Sequence, residues 1–278
     1  MQAITKRLPS REKSDQARAR AIVRFNGLLF HGLAAASFLE TAAPLHAVRL
    51  ARTLATRPEV GLWLEQSWCP RCTEIGNRLR DFIAATWPEF DWSAAQQEFH
   101  ERYRRGPALA SPEPGAALAA LGLCVASTQA AVFYRALARG ADEPALRELA
   151  RHAVQVHGGS FDYSSALFER CARYERVGLL AAWRAVHASC SSARDFDVRV
   201  AFEPLARHWR GAPTVPELNY GDFRARMAAL IERHAGLGRA ERLLFRPWLA
   251  RERQAPAPQE PQSGPARRLP FALQPLAA

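Results

Sequence analysis

His157 and Ser160 stand three residues apart in the run Ala153-Val154-Gln155-Val156-His157-Gly158-Gly159-Ser160-Phe161-Asp162-Tyr163. A helix that holds a metal through side chains one turn apart needs a Glu and a His at that spacing. The chain has no E-x-x-H and no D-x-x-H anywhere. At 3.6 residues per turn, Ala150, Val154, His157, Phe161 and Phe168 form one row, and Leu149, Ala153, Val156, Ser160, Tyr163 and Leu167 the adjacent one. His157 and Ser160 are therefore expected on the core face. Glu148, His152, Gln155, Asp162 and Glu169 fall toward solvent. A buried imidazole needs a hydrogen-bond partner, a carbonyl or a neighbour such as Ser160. Gly158-Gly159 costs a helix roughly 1 kcal/mol per glycine relative to Ala. Close packing, a local bulge or room for a ligand would compensate.

Gln129 is the second polar residue expected inside. It sits among Val125, Val132 and Phe133 in the run 115–134, which carries no charge. Its amide must find partners there, and being neutral it replaces a bridging carboxylate poorly. Gln129, His157 and Ser160 are thus predicted to share a polar pocket. Glu40, Glu65 and Glu74 lie on helical stretches with apolar neighbours, and His46 follows Glu40 closely. Exposed or capping carboxylates are the usual case. Cys69-Pro-Arg-Cys72 is a C-x-x-C, the spacing of redox dithiols at a helix N-terminus. No strand pattern precedes it and no second pair exists to complete a zinc site, so a catalytic dithiol is not expected. Phosphate loops, a G-x-S-x-G elbow and H-E-x-x-H are lacking. Arg194 to Arg199 reads as an ion-pair stripe. An alternative there turns Asp195 or Asp197 inward toward Arg135 or Arg139.

These residues must be held by helices. Ala, Leu and Arg dominate the 278 residues, and runs of β-branched residues are scarce. A 48 % hydrophobic content suffices for a sizeable core. A first helix is expected from near Asp15 to Ala42, interrupted at Pro44. Pro58 opens another, kinked at Pro70 and stopped by Trp87-Pro88. Asp91 or Ser93 caps a short helix. A helix over 115–139 ends at Gly140 as a C-cap, and the next runs from Pro144 to about Arg173. Arg176–His187, a helix capped by Ser191 or Ser192, Tyr220–His234 and Arg239–Arg251 complete the set. Residues 1–15 read as a disordered basic arm, 16–253 as the helical domain, and 254–278, with its prolines, as a disordered tail.

Residues 1–24 hold seven basic and two acidic side chains, and the net charge of +11 falls to +4 over 25–250. The arm is read as solvated. Salt-dependent phosphate contacts are the alternative, and nucleic-acid binding is not expected. The apolar run 115–134 is read as a bundle core helix rather than a membrane span. Five widely spaced cysteines and the lack of an apolar leader point to a cytoplasmic protein.

The run Gln129-Ala-Ala-Val-Phe-Tyr134-Arg-Ala-Leu resembles the E-x-x-x-x-Y-x-x-L portion of a ferritin-like helix. Val156-His157-Gly158-Gly159-Ser160-Phe161 resembles the D-E-x-x-H-F portion of its partner helix. The resemblance, carried by residues 115–210, implies an all-α, ferritin-like helical bundle with extra helices. In such carboxylate proteins a Glu and a Glu-x-x-His supply half of a di-iron site. Those positions fall here on Gln129, His157 and Ser160, so the resemblance does not carry the di-iron chemistry over. The expected protein is a binding or interaction bundle with no cofactor. Its partner would be an unidentified protein or a small molecule, and a homodimer is compatible with it. The alternative is an iron or manganese oxidase or oxygenase with the rearranged set Glu40, His46, Glu65 and His157.

Overall fold

A computed structural model describes residues 21–55, 57–106, 115–191 and 193–252. The arm 1–15 and the tail 254–278 lie outside them. The protein is all-α. Among the described residues the only β pairing is a single bridge between Phe90 and Trp209.

Four helices form the centre: α1 (Gly27–Thr41), α4 (Cys69–Thr86), α6 (Ala116–Gly140) and α7 (Pro144–Glu175). α6 and α7 pack against each other along most of their length, joined by residues 141–143, and α1 packs on α4. Between the last two run α2 (Ala43–Thr53), α3 (Pro58–Trp63) and a π-helical turn, Leu64–Trp68. α5 (Trp92–Arg104), α8 (Leu179–Ser191), α9 (Ala193–Phe202), α10 (Tyr220–His234) and α11 (Arg239–Glu252) surround this centre.

Local chemistry sets the boundaries. The expected helix from Asp15 to Ala42 is broken before Gly27, because Asn26 leaves helical geometry and its side chain accepts from the Leu29 N–H at 3.1 Å. The break near Pro44 falls at Ala42, where α1 and α2 meet at 44°. At Pro70, where a kink is expected, the helix changes from a π-helical to an α-helical turn. The proline is at the second position of α4, and the preceding turn widens so that the Cys69 N–H reaches the Leu64 carbonyl. Asp91 caps α5 at 3.1 Å from the Ala94 N–H. The Glu143 carboxylate caps α7 through Leu146 at 2.6 Å. Gly140 is the last residue of α6 rather than a left-handed cap, and the chain leaves it extended at Ala141. α7 overruns Arg173 and ends where Arg176 itself turns left-handed (φ 51°), so α8 starts later than expected, at Leu179. Ser192 and the Ser191 side chain lie outside the described set.

α1 is buried on nearly every side, with Phe30, Leu33 and Phe38 fully inside. Its contact with α4 is close: a Cβ on Gly76 would come within 2.6 Å of Thr41 Cγ2 and 3.0 Å of the Thr41 backbone nitrogen. A second, smaller core joins Leu54, Val60 and Leu64 to Ala117, Ala120, Leu167 and Cys171. The Trp63 ring stacks on Tyr163 there, 3.9 Å between centroids. α6 is long and apolar enough to cross a membrane, and the bent pair α1–α2 qualifies only when taken together. Half of the apolar window of α6 is buried inside the protein.

Candidate functional site

Glu40 is in the last turn of α1 and is only 9 % exposed. Two donors converge on its Oε1. Tyr134 of α6 donates its hydroxyl at 2.9 Å, and His157 of α7 donates from Nε2 at 2.8 Å. The Cys72 thiol of α4 is a third hydrogen-bond donor to the same carboxylate. The Tyr134 and His157 rings stack, 5.6 Å apart and 12° from parallel. All four central helices thus contribute one member each.

Burial pushes the Glu40 carboxyl up, but the His157 charge and the hydrogen bonds from His157, Tyr134 and Cys72 outweigh it. The net result is a carboxyl held below its ordinary range. The same arrangement acts oppositely on Cys72. Burial, the Glu40 charge and the hydrogen bond to Glu40 raise its thiol well above the usual value. Cys69 is raised too, by burial. Both cysteines are free. No free helix N-terminus acidifies Cys69, because the chain is already helical through Trp68.

Glu40, Cys72 and His157 form part of the wall of a cavity of about 470 Å³, bounded by α1, α2, the π-helical turn, α4, α6, α7, α8 and α9. Most of the wall is apolar, from Leu39, Leu50, Leu118, Leu123, Val125 and a series of alanines. A second cavity of about 110 Å³ shares Leu39, Glu40, Gln129 and Ala130 with the first. Glu40 and Gln129 therefore stand between two hollows. His157 lines the larger one, and its Nδ1 makes no hydrogen bond among the described residues.

The three predicted pocket residues are all buried: Gln129 at 7 %, His157 and Ser160 at 6 %. Gln129 and His157 line the larger cavity together. Ser160 does not join them. Its hydroxyl donates to the Val156 carbonyl one turn back, at 3.0 Å, so it is not the partner of His157. The partner is Glu40. On the predicted core face Phe161 is 41 % exposed, and Ser164 is buried in its stead. Gly158 and Gly159 are ordinary helical positions where a Cβ would meet nothing within 4 Å. Neither close packing nor a bulge accounts for them.

Of the rearranged metal set, Glu40, His46 and His157 line the cavity and Glu65 does not. Glu65 is exposed on the π turn. His46 lines the cavity but bonds the Tyr103 hydroxyl at 2.6 Å through Nε2. Glu74 is exposed and near Arg78 and His152. Among the described residues no three His, Cys, Asp or Glu side chains are grouped to hold a metal ion. The three positions that the resemblance aligns with di-iron ligands do not offer such a donor set: Gln129 carries a neutral amide, Ser160 a hydroxyl bonded to its own helix, and the His157 Nε2 is committed to Glu40. Asp197 lines the cavity and does not pair with Arg135, which binds Glu241 at 2.7 Å. Arg139 donates to the His234 and Ala235 carbonyls. The Asp195 side chain lies outside the described set.

Sequence reasoning missed Glu40 as the partner of His157 and missed Tyr134 and Cys72 as its other donors. The available signal was a carboxylate in a stretch with no basic neighbour, Ala34 to Pro44. No family model, no curated protein and no solved structure matches the chain.

Proposed function

We propose that this chain is a metal-independent binding bundle that holds a small organic ligand in the cavity beside Glu40. The observation that carries this reading is a buried carboxylate held by three protein donors in the wall of a largely apolar cavity. Ligand sites are typically concave and apolar, about 300–1,000 Å³, with a few fixed polar groups. We also propose descent from a ferritin-like bundle whose metal positions now carry Gln129, His157 and Ser160. In support, α1–α4 and α6–α7 form two packed pairs. The test is twofold. Elemental analysis of protein from iron-supplemented cells is expected to give far less than one iron or manganese per chain. A neutral or anionic apolar probe is expected to raise the melting temperature equally with and without chelator. About two metal ions per chain would instead favour the oxidase.

A second reading rests on α8. Leu179, Leu180 and Trp183 are 90 %, 61 % and 63 % exposed, an apolar cluster of the kind that marks contact surfaces. In this reading the partner is a protein, a second copy included. Sedimentation of the wild type against Leu179→Ser/Trp183→Ser tests it: self-association lost in the variant supports it, and a monomer in both cases rejects the homodimer.

A further inference from the structure

The larger cavity has a polar residue on α2 that the Glu40 cluster does not use. Arg49 lines it and is half-buried, and its guanidinium makes no hydrogen bond or ion pair among the described residues. Glu40 already accepts from Tyr134, His157 and Cys72. Asp197, the other carboxylate in the wall, has a partner within the protein, with its buried Oδ1 accepting no hydrogen bond among the described residues, and His46 is bonded to Tyr103. Among the described residues of the wall, Arg49 is therefore the charged side chain without a partner. It is placed toward the opening, since Thr53 and Ser189 in the same wall are also half-buried and Ala188 is exposed. The buried part of the wall is Leu123, Val125 and alanines, with Ser127, Gln129 and His157 as its polar points beside Glu40.

An unpaired guanidinium beside an apolar chamber has one complementary ligand, an anionic head with an apolar body. Arg presents a planar fork that matches a carboxylate in two parallel hydrogen bonds. A cationic head would meet Arg49 at the opening and be repelled. A neutral head would leave the guanidinium no better paired than before.

We propose that the cavity binds a carboxylate-headed amphiphile, with the carboxylate on Arg49 and the aliphatic body along the Ala- and Leu-lined wall of α6. This inference rests on the ligand-binding reading and assigns the ligand class.

The experiment is titration calorimetry of the full chain with dodecanoate, dodecan-1-ol and dodecyltrimethylammonium, each below its micellar concentration, repeated on Arg49→Gln and Arg49→Lys. Dodecanoate is expected to bind the wild type about tenfold more tightly than dodecan-1-ol, the scale of one charge-assisted hydrogen bond. The cationic probe is expected to bind weakest. Arg49→Gln should erase the preference without weakening dodecan-1-ol, and Arg49→Lys should restore part of it. Equal binding of dodecanoate and dodecan-1-ol, or a preference that survives Arg49→Gln, overturns the head-group assignment and leaves the ligand-binding reading standing. No binding of any probe overturns both.

Discussion

His157 Nε2 lies 2.8 Å from Glu40 Oε1 across 117 positions of sequence, with both side chains under 10 % exposed. A buried pair of this kind adds little net stability over an apolar alternative, yet breaking it from one side is costly. The cost arises because the surviving group keeps its desolvation penalty without its partner.

Glu40→Ala is accordingly expected to cost about 3–5 kcal/mol of unfolding free energy. Glu40→Gln, which keeps an acceptor, should cost less, about 1–3 kcal/mol. Urea denaturation at neutral pH measures both. A change under 0.5 kcal/mol for Glu40→Ala (~0.5 is the usual surface range) would mean that the cluster is not formed.

The depressed Glu40 carboxyl gives stability a defined pH dependence. A group whose folded pKa lies below its unfolded one stabilises fully above the unfolded value, and that contribution is lost as pH falls through the folded value. Glu40 is held below the ordinary carboxylate range only in the folded protein. Its contribution should therefore be complete at neutral pH and decline as the solution is acidified past the ordinary carboxylate range. Glu40→Gln should flatten the wild-type loss of stability in this acid range. Parallel pH profiles for the two proteins would contradict the assignment.

Two glycine substitutions should have opposite signs. Gly76→Ala puts a methyl against the Thr41 backbone, which cannot rotate away, and overpacking of this kind costs about 1–3 kcal/mol. Gly158→Ala meets open space within a continuous helix and should stabilise by about 0.5–1 kcal/mol. Thermal midpoints of the two variants decide the matter. A stabilising Gly76→Ala would mean that α1 and α4 are not in close contact.

Cys72 should behave as an inert thiol. Its pKa is raised well above the ordinary value, so almost no thiolate is present near neutrality. Disulfide-exchange labelling of the native protein should modify Cys72 only as fast as the protein unfolds, and Cys69→Ser should leave any insulin-reducing activity unchanged. Rapid native labelling of Cys72, or activity abolished in Cys69→Ser, would reinstate the dithiol.

Much of the helical frame was legible because its boundaries are local. Pro58, Trp87-Pro88, Asp91 and Pro144 each act within a few residues, and α10 spans Tyr220–His234 as its pattern predicts. The burial of Gln129 and His157 was legible too, from an uncharged run and a helical phase. The partner of His157 was not. Periodicity says which face a side chain takes but not which helix it meets. Ser160, on the same face as His157, was the nearest candidate by sequence, and the hydroxyl instead bonded back to its own turn. Phe161 went the other way for a related reason: a helix packed on few sides buries a narrower stripe than its apolar residues define.

The 44° bend at Ala42 has a geometric consequence for the cavity. Glu40 and Arg49 are nine residues apart, and on one straight helix that spacing would place them about 180° around the axis and ~13 Å along it. They would face opposite ways. Both residues nonetheless line one chamber, on either side of the interruption at Ala42 where the helix axis turns. The anchor and the opening are thus carried on separate rods joined at one corner. Substitutions along α2 can re-shape the entrance and its charge while the Glu40–His157 contact, fixed by three other helices, is left in place.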